Sequence, residues 1–468
     1  MYRTAYFNVE KQDTGYFLSN DAGGFCFLSE DEFYNYINGC LKEQDNLFSE
    51  LRGSGFLFAD EDQYLAENAI QYERMKSCLT TGTRLFILVL TDICNQRCVY
   101  CQAGTAHSSR MTIETCKKAI EMAVQSPVAG VTIEFQGGEP TANPDALKYA
   151  VSYAKEVFYK HGKNVDFSIV TNFTNPNPDI LQFIIDEGIN VSTSLDGPLF
   201  LHNYNRPLAS EKSSYDAWIT GIRAFHKQCE TSGQKIDIGA LQTTTRKSLK
   251  YAKEIVDEYL SQGLMNLYIR PLTPLGIAKQ RWQEIGYSAD EFLAFYKEAL
   301  DYMIELCKHG IFVREATAAL YLEKILHKSA VGHTEFRSPC GATIGQMAIN
   351  FDGQVYTCDE GRMIANMGDN IFCLGTVDNT YKDLVRSPVA HALCTLSCIE
   401  ALPFCSDCVY SPFCAVCPVI TYGTEGDLIS HQKESYKCKI AKGIMSFLFA
   451  VLKSERQEDI KVLKSWIN

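Results

Sequence analysis

The stretch that most constrains this chain is an uncharged, largely aliphatic run, Phe86–Thr91, that leads directly into three cysteines. Cys94, Cys98 and Cys101 follow it with the spacing C-x3-C-x2-C. The run predicts a buried parallel strand, so the cysteines lie on the loop at its carboxyl end, where open α/β sheets and barrels bind ligands. Three thiolates on one loop can hold three irons of a [4Fe–4S] cluster and leave the fourth iron open. A structural zinc site with a distant fourth ligand is the alternative.

The length and net charge of the chain limit its number of domains and its possible partners. A chain of 468 residues is too long for one core, so about two to four domains are expected. The net charge of −12 disfavours nucleic acid as a partner. No apolar run approaches the roughly 18–20 residues that cross a bilayer, and the N-terminus lacks the features of a signal peptide. We therefore expect a cytoplasmic protein with no membrane partner.

The 19 cysteines are unevenly distributed. Disulfides do not persist in a reducing compartment, so this number calls for another explanation. Three cysteines belong to the opening motif, and ten lie between Cys340 and Cys438. Clustered cysteines of this kind predict metal ligation.

Residues 1–82 predict a small separate module. Three short strands, TAYFNVE, GYFLSN and GFCFLS, precede an S-x-x-E capping box at Ser29 and Glu32. Amphipathic helices and a helical connector follow. A three-stranded sheet backed by helices exposes an edge strand, which can take up an extended peptide by strand addition. A packing extension with no binding role is the alternative.

From residue 84 to about residue 300, strand-like and helix-like segments alternate. Six βα units imply a parallel sheet with right-handed crossovers. Because six is fewer than the eight of a closed barrel, we expect an α/β fold with a partial, open (β/α)6 barrel over residues 83–330. The predicted strands are Leu85–Thr91, Val131–Phe135, Asp166–Thr171, Asn190–Leu195, Lys235–Leu241 and Leu267–Arg270.

Polar and glycine residues follow the second, third and fourth of these strands. Polar groups at successive strand ends converge on one pocket. Two adjacent glycines let a backbone approach a ligand closely, and Glu139 can accept a hydrogen bond from an ammonium group. The residues expected at this edge are Gly137, Gly138, Glu139, Thr171, Asn172, Ser194, Asp196 and Arg206.

The three cysteines, Tyr100 before the third of them, and Gly-Gly-Glu-Pro after the second strand together resemble the radical S-adenosylmethionine (SAM) superfamily. The resemblance covers about residues 84–300. It implies that the open iron binds the amino and carboxylate groups of SAM. An electron then cleaves SAM to methionine and a 5′-deoxyadenosyl radical, which abstracts hydrogen from a substrate. The implied cofactor-binding residues are Tyr100, Gly137, Gly138 and Glu139 near the methionine end, and Ser194 and Arg206 near the ribose and carboxylate.

The cysteine-rich end carries two further patterns, C-x12-G-x4-C and C-x2-C-x5-C-x2-C, and a last cysteine. They resemble the SPASM extension of radical SAM enzymes, over residues 331–440, which holds two auxiliary [4Fe–4S] clusters. The family usually has three residues before the fourth cysteine of the series, whereas this chain has two. The resemblance implies one cluster on Cys340, Cys358 and Cys417 and another on Cys405, Cys408, Cys414 and Cys438.

The first auxiliary set lacks a fourth ligand. Cys373, Cys394 or Cys398 could complete it, or the site is open to substrate. A zinc ribbon is the alternative for the whole region. Residues 441–468 predict an amphipathic helix that packs back on the body.

SPASM-bearing radical SAM enzymes mostly modify peptides and proteins. Residues 1–82 resemble the winged-helix-like, PqqD-like element that holds a leader peptide. SNDAGGFCFLSEDEF together with FQGGEP is most similar to the radical SAM maturases of His-Xaa-Ser repeat peptide systems. This resemblance implies a ribosomally made precursor peptide as substrate, and hydrogen abstraction followed by cross-linking, of cyclophane or thioether type, or by oxidation. A reductase or flavodoxin-type protein would donate the electron.

Three alternatives remain at this stage. An anaerobic sulfatase-maturase-like enzyme would form formylglycine with the same barrel and SPASM domains. A nucleic-acid-modifying radical SAM enzyme is disfavoured by the acidic charge. An iron–sulfur electron carrier or metal-binding scaffold would keep the cysteines without catalysis. No residue stands out as a general base.

Overall fold

The computed structural model describes residues 2–79, 81–103, 108–174, 176–429, 435–454 and 456–467. Its strands, in chain order, are β1 (Arg3–Thr4), β2 (Asn8–Gln12), β3 (Gly15–Ser19), β4 (Phe25–Leu28), β5 (Leu57–Phe58), β6 (Leu85–Thr91), β7 (Gly130–Gly137), β8 (Asn164–Val170), β9 (Asn190–Ser194), β10 (Ile238–Thr243), β11 (Asn266–Arg270), β12 (Arg314–Glu315), β13 (Gln346–Ile349), β14 (Gln354–Tyr356) and β15 (Cys373–Thr376).

The α-helices, in chain order, are α1 (Glu30–Ile37), α2 (Asn46–Gly53), α3 (Glu61–Met75), α4 (Ile113–Ala123), α5 (Pro144–Lys160), α6 (Pro178–Asp186), α7 (Leu199–Asn205), α8 (Ser214–Ser232), α9 (Ala252–Ser261), α10 (Gly276–Gln280), α11 (Trp282–Ile285), α12 (Ala289–Lys308), α13 (Ala316–Leu322), α14 (Asp359–Ala365), α15 (Tyr381–Val385), α16 (Pro388–Leu396), α17 (Pro418–Glu425), α18 (Tyr436–Lys453) and α19 (Gln457–Ser465).

The centre of the fold is a ten-stranded sheet with the order β12-β11-β10-β9-β8-β7-β6-β13-β14-β15. Strands β6 to β12 pair in parallel, and helices follow each of β6 to β11. The six predicted strands are confirmed, and the bounds of Leu85–Thr91 are the predicted ones. Their regular alternation with helices places the carboxyl ends of all six at one edge of the sheet.

The central sheet continues into the cysteine-rich region. Strand β13 pairs in parallel with β6, with Gln346 opposite Leu85 and Ile349 opposite Leu88. Strands β14 and β15 then add in antiparallel fashion. The sequence predicted the β13–β14 hairpin but not its place beside β6, because pairing between segments this far apart leaves no local pattern. The hairpin between Cys340 and Cys358 therefore lies next to the strand that leads to Cys94.

The N-terminal sheet β2-β3-β4 is antiparallel, and the predicted capping box between Ser29 and Glu32 is confirmed. One face of this sheet forms a core of its own with α1 and α2, which includes Leu18, Tyr36 and Phe56. The other face packs on the C-terminal region, where Phe449 of α18 lies among its aromatic rings. The module is therefore anchored to the C-terminal part of the chain.

The C-terminal end differs from the single helix predicted for residues 441–468. Helix α18 begins earlier, at Tyr436, because Ser435 caps it by accepting a hydrogen bond from the backbone N–H of Cys438 at 3.1 Å. A second helix, α19, follows, and both pack on α12 as the sequence predicted for this segment. Among the described residues, no helix has the length and apolar character needed to cross a membrane.

Candidate functional site

The three cysteines that follow β6 lie on a loop that backbone hydrogen bonds hold in place. The N–H groups of Arg97 and Val99 donate to the carbonyl oxygens of Pro207 and Asn205, at 2.7 and 2.9 Å. The loop is thereby fixed against the end of α7. Burial raises the pKa of Cys94 to about 11 and that of Cys98 to about 12, and the neighbouring Cys101 thiol raises the pKa of both further.

These three thiols fit an iron–sulfur cluster better than a single metal ion. Among the described residues, no three Cys, His, Asp or Glu side chains converge at the distance that one metal ion requires. A four-iron cluster needs no such convergence, because each thiolate binds a different iron. Thiols that burial keeps protonated lose their protons when a metal supplies positive charge. The donor set therefore suits a [4Fe–4S] cluster with one iron free of cysteine.

Gly137 and Gly138 let the end of β7 approach the cysteine loop. A Cβ atom on Gly137 would lie 2.2 Å from the carbonyl oxygen of Thr91, and one on Gly138 would lie 2.5 Å from that of Ile93. Gly137 also has a φ of +146°, which side chains rarely adopt. The backbone N–H of Gly138 donates to Thr91 O at 2.8 Å, and that of Glu139 donates to Ile93 O at 2.8 Å. The sequence predicted that these two glycines let the backbone approach a ligand closely. In the structure, they let it approach the segment that carries Cys94.

The carboxylate of Glu139 joins the ends of two neighbouring strands. Its Oε1 accepts hydrogen bonds from Thr141 N, Thr141 Oγ1 and Thr171 Oγ1, at 3.2, 2.7 and 2.7 Å. Its Oε2 accepts one from Asn172 N at 2.8 Å. Burial raises the pKa of Glu139, and these donors oppose the shift. The sequence predicted an ammonium group as the partner of this carboxylate, whereas these four donors belong to the chain.

Asn172 extends this network to the cysteine loop. Its side-chain amide donates to Asn95 Oδ1 at 2.8 Å and lies 3.8 Å from Cys94 Sγ. Asn95 in turn donates to Thr174 Oγ1 at 3.0 Å. The sequence pointed to Asn172 through its place at a strand end. It gave no signal for Asn95, whose role depends on how the loop folds back.

The side chains of Arg206 and Tyr100 contact each other next to Cys98. The guanidinium of Arg206 lies over the Tyr100 ring at 5.3 Å, and its Nη1 lies 4.0 Å from Cys98 Sγ. Both side chains donate hydrogen bonds to Asp196. Ser194 lies on β9 and is half-buried. It points away from the helices, because its neighbour Thr193 accepts a hydrogen bond from Trp218 of α8 at 3.1 Å.

From β7 to β11, the face of the central sheet that points away from the helices carries mainly polar residues. Helix-facing residues such as Phe135, Phe167 and Ile269 are buried, whereas the alternate residues are half-buried. At its centre, Glu134 accepts hydrogen bonds from Gln136 Nε2 at 2.6 Å and from Ser168 Oγ at 3.1 Å. Other polar residues of this face are Thr132, Ser192, Ser194, Thr243, Tyr268 and Arg270. This face is therefore a polar, partly accessible surface, and the cysteine loop lies at its carboxyl edge.

Cys340, Cys358 and Cys417 belong to one buried cluster. A hydrogen bond between Cys340 and Cys417 raises the pKa of the first thiol and lowers that of the second. Lys437 Nζ is buried without a hydrogen-bond partner among the described residues, and its charge favours the thiolate of Cys417. The structure thus brings together the three cysteines that the sequence assigned to the first auxiliary cluster.

Three cysteines were suggested as a fourth ligand of this group, and the structure describes a contact of each. Cys373 packs in another cluster, with Ile87 and Tyr356, and its thiol donates to Gly375 O at 3.4 Å. The Cys398 thiol donates to the carbonyl oxygen of Cys394 at 3.3 Å. The segment that carries Cys394 and Cys398 also contacts the group, because Ser397 Oγ accepts a hydrogen bond from Cys340 N at 2.9 Å, so the fourth ligand stays a prediction.

The second auxiliary group is also brought together. Burial raises the pKa of Cys405 to about 12, and Cys414, Cys438 and Cys408 add to the shift. The four cysteines come from two segments, residues 405–414 and the first turn of α18. Lys324 is buried beside them and donates to the carbonyl oxygens of Phe336 and Cys414, at 2.9 and 2.8 Å. Assignment of iron to either auxiliary group remains a prediction.

Residues 88–249 match the model of the radical SAM superfamily. This part of the chain is therefore similar to a radical SAM domain, a superfamily that implies SAM and a [4Fe–4S] cluster as cofactors. A Methanocaldococcus jannaschii protein is 28% identical over 196 residues, 42% of this chain and 65% of that protein. The cysteine-type anaerobic sulfatase-maturating enzyme of Clostridium novyi is 23% identical over 336 residues, 69% of this chain and 83% of that one. The radical SAM cyclopropyl synthase TigE of Paramaledivibacter caminithermalis is 22% identical over 437 residues, 85% and 87% of the two chains.

Two solved structures share the fold. Native anSMEcpe with bound AdoMet and the Cp18Cys peptide gives a TM-score of 0.68 at 20% identity, over 82% of this chain and 99% of that one. Streptococcus suis SuiB bound to precursor peptide SuiA gives a TM-score of 0.54 at 15% identity, over 92% of this chain and 98% of that one. Both of these structures contain a bound peptide.

Proposed function

We propose that this protein is a radical SAM enzyme that modifies a ribosomally made precursor peptide. The observation that carries the proposal is the loop of Cys94, Cys98 and Cys101, which Gly138 and Glu139 hold from one side and Arg206 from the other. When bound there, the cluster and SAM supply a 5′-deoxyadenosyl radical that removes a hydrogen atom. The chain itself holds the cysteine loop at the carboxyl edge of the sheet. It also presents the polar face around Glu134 to the substrate.

A peptide substrate is supported by the extent of the structural similarities. The match with anSMEcpe leaves about a fifth of this chain uncovered, whereas the match with SuiB and its precursor peptide covers 92%. The present chain also has the N-terminal sheet β2-β3-β4, whose outer strands have one paired edge each among the described residues. An extended leader can add to such an edge. We infer that residues 1–82 bind the leader and that a His-Xaa-Ser repeat peptide is the substrate.

The two auxiliary cysteine groups support an oxidative outcome. Closing a bond between side chains, or oxidising one, removes a second electron after hydrogen abstraction. Iron–sulfur clusters span about −700 to +450 mV, so a cluster near the product can accept that electron. We therefore propose clusters on the groups that contain Cys340 and Cys405, and cross-linking of cyclophane or thioether type or oxidation as the reaction. A reductase or flavodoxin-type protein would supply the first electron.

Formylglycine formation is a second candidate. It is favoured by the similarity to the sulfatase-maturating enzyme of Clostridium novyi, which extends over 336 residues. The two reactions differ in their products, because formylglycine is an aldehyde and a cross-link is not. A hydrazide probe labels the first product and leaves the second unlabelled.

The radical SAM proposal is tested by SAM cleavage after reduction with dithionite. The wild-type protein should form 5′-deoxyadenosine, and the triple variant Cys94→Ala, Cys98→Ala, Cys101→Ala should form none. Cys40→Ala is the matched control, since this thiol is exposed in the N-terminal module. Undiminished 5′-deoxyadenosine from the triple variant would refute the proposal.

The substrate is tested by co-expression with short peptides encoded beside the gene, above all any with a His-Xaa-Ser repeat. A loss of two hydrogens per modified site, without hydrazide labelling, supports cross-linking or dehydrogenation. Labelling by the hydrazide supports formylglycine instead. Unchanged mass in an active enzyme preparation counts against both.

A further inference from the structure

Asp196 joins three segments at the edge of the sheet where the cysteine loop lies. It follows β9 directly and is fully buried. Its Oδ2 accepts a hydrogen bond from the Tyr100 hydroxyl at 2.6 Å. Its Oδ1 accepts hydrogen bonds from Arg206 Nε at 3.0 Å and from Thr243 N at 3.2 Å. The donors belong to the cysteine loop, the end of α7 and the end of β10, so one carboxylate fixes all three relative to β9.

The position of Arg206 depends on this carboxylate. A guanidinium with its Nε bonded to Asp196 and its plane over the Tyr100 ring has little rotational freedom. Asp196 supplies the counter-charge of this buried guanidinium, with Arg206 Nε 3.0 Å from Asp196 Oδ1. The Nη1 side then lies 4.0 Å from Cys98 Sγ. Nη2 has no hydrogen-bond partner in the described part of the chain, so the outer edge of the guanidinium can still bind an anion.

The groups around Asp196 leave its carboxylate free to pair with Arg206. The Tyr100 ring is buried, and its hydroxyl donates to the second oxygen of the carboxylate. Burial lowers the pKa of His202 to about 4, so this imidazole, which lies beside the backbone N–H of Asp196, is neutral and leaves the carboxylate to Arg206. The ion pair is therefore formed between Asp196 and Arg206 alone.

We propose that Asp196 is a positioning residue of the SAM site, which orients Arg206 so that its guanidinium faces the SAM carboxylate and the Cys98 side of the cluster at once. The proposal rests on the proposed function and goes beyond it by assigning a positioning role to a residue that the sequence placed only among the polar groups at this edge of the sheet. A carboxylate is required because a buried guanidinium without a counter-charge is strongly disfavoured.

The test compares SAM binding and cluster potential in purified, reconstituted protein. Asp196→Asn keeps the shape of the side chain and removes its charge. Affinity for SAM should fall about tenfold, as expected when a buried charge-assisted contact loses its orientation. The midpoint potential of the motif cluster should rise, because a nearby negative charge that opposes reduction is gone. Iron content should be unchanged.

A double-variant cycle separates positioning from general stabilisation. In an Arg206→Gln background, Asp196→Asn should cause no further loss of SAM affinity, because Asp196 acts through Arg206. An equal loss in both backgrounds would show a merely structural role and overturn the proposal. Asp166→Asn, on the exposed amino half of β8, is the control and should bind SAM as the wild type does.

A third variant keeps the proposal testable if Asp196→Asn does not fold. Arg206→Lys retains a positive charge but lacks the planar fork that binds Asp196, so SAM affinity should again fall about tenfold. Wild-type affinity in this variant would overturn the proposal. Failure of the wild-type protein itself to bind or cleave SAM would instead refute the proposed function, so the two outcomes are distinguishable.

Discussion

Asn8 Nδ2 donates a hydrogen bond to the carbonyl oxygen of Cys408 at 3.3 Å, which links the N-terminal sheet to a cysteine of the second auxiliary group. Ser19 Oγ makes a parallel contact with Val409 O at 2.6 Å. Phe17 and Phe27 of the same sheet face reach Phe449 of α18. Deleting residues 1–82 would therefore expose this interface as well as remove the proposed leader-binding surface, so single substitutions are better tests of the module.

Replacing Phe449 with Ala should loosen the N-terminal module. This ring is 2% exposed and lies 4.6 Å from the Phe17 ring and 5.3 Å from that of Phe413. Loss of a buried aromatic side chain costs about 3–5 kcal/mol. We expect a lower free energy of unfolding in urea and faster proteolysis within residues 1–82.

Phe312→Ala is the matched control for this substitution. Its side chain is 46% exposed, so the free energy of unfolding should change by less than about 0.5 kcal/mol. Equal stability of the two variants would contradict the anchoring of the module through α18.

The iron content should follow the three cysteine groups. Three four-iron clusters give about twelve irons per chain, and loss of one cluster removes about four. We expect that loss on replacing Cys340, Cys358 and Cys417 with Ala, and also on replacing the second auxiliary set. Iron analysis and Mössbauer spectroscopy measure it, with Cys40→Ala as the control. A reconstituted protein with four irons and two zincs would refute the auxiliary assignment.

Glu139→Gln should weaken SAM binding without removing the cluster. The two oxygens of the carboxylate accept hydrogen bonds from four donors of the chain. An amide has only one acceptor oxygen, so its NH2 group would face donors that it cannot bind. An unsatisfied buried donor costs about 1–3 kcal/mol, and the cysteine loop should shift as the strand ends separate. Titration calorimetry with SAM should show about tenfold weaker binding.

Glu254→Gln, on the exposed side of α9, is the control for Glu139. It should match the wild type in both SAM affinity and iron content. Wild-type affinity in Glu139→Gln would contradict the role of this carboxylate in holding the loop.

Glu315 should make stability depend on pH. Burial raises the pKa of this carboxyl from 4.5 to about 7, although the Tyr296 hydroxyl and the backbone N–H of Ala318 donate to it. A raised pKa means that the folded state binds the proton more tightly, so its stabilising effect is complete below pH 4.5 and is lost as the pH rises through about 7. The loss amounts to about 3 kcal/mol.

Glu315→Gln cannot titrate and should remove this dependence. Thermal unfolding of both proteins from pH 5 to pH 8 measures the effect, and their difference cancels all other titrating groups. Parallel curves for the two proteins would show that Glu315 does not carry the dependence.

Local patterns predicted much of this fold. The aliphatic run Leu85–Thr91 gave the bounds of a central strand, because a strand buried on both faces needs continuous apolar residues. Ser29 and Glu32 gave the start of α1, because capping depends on residues only three positions apart. The spacing of Cys94, Cys98 and Cys101 gave one cysteine group, because short loops limit which thiols can meet, and the resemblance to the SPASM extension implied the other two.

Contacts between distant segments could not be predicted in this way. The pairing of β13 with β6 depends on two strands that share no local signal. Glu139 looked like a ligand-binding group from its strand-end position, yet its donors are Thr141, Thr171 and Asn172. Asp196 was predicted at the same edge of the sheet, but its partners were not, because only the folded loop brings Tyr100 and Arg206 to it.

The pairing of β13 with β6 also bears on electron transfer. Cys94 follows one of these strands, and Cys340 and Cys358 flank the hairpin that contains the other. The register places Gln346 opposite Leu85 and Tyr356 opposite Ala348, so Cys340 and Cys358 lie toward the amino end of β6, whereas Cys94 follows its carboxyl end. An electron passing between clusters held by these two sets of cysteines would therefore travel along β6 rather than across it.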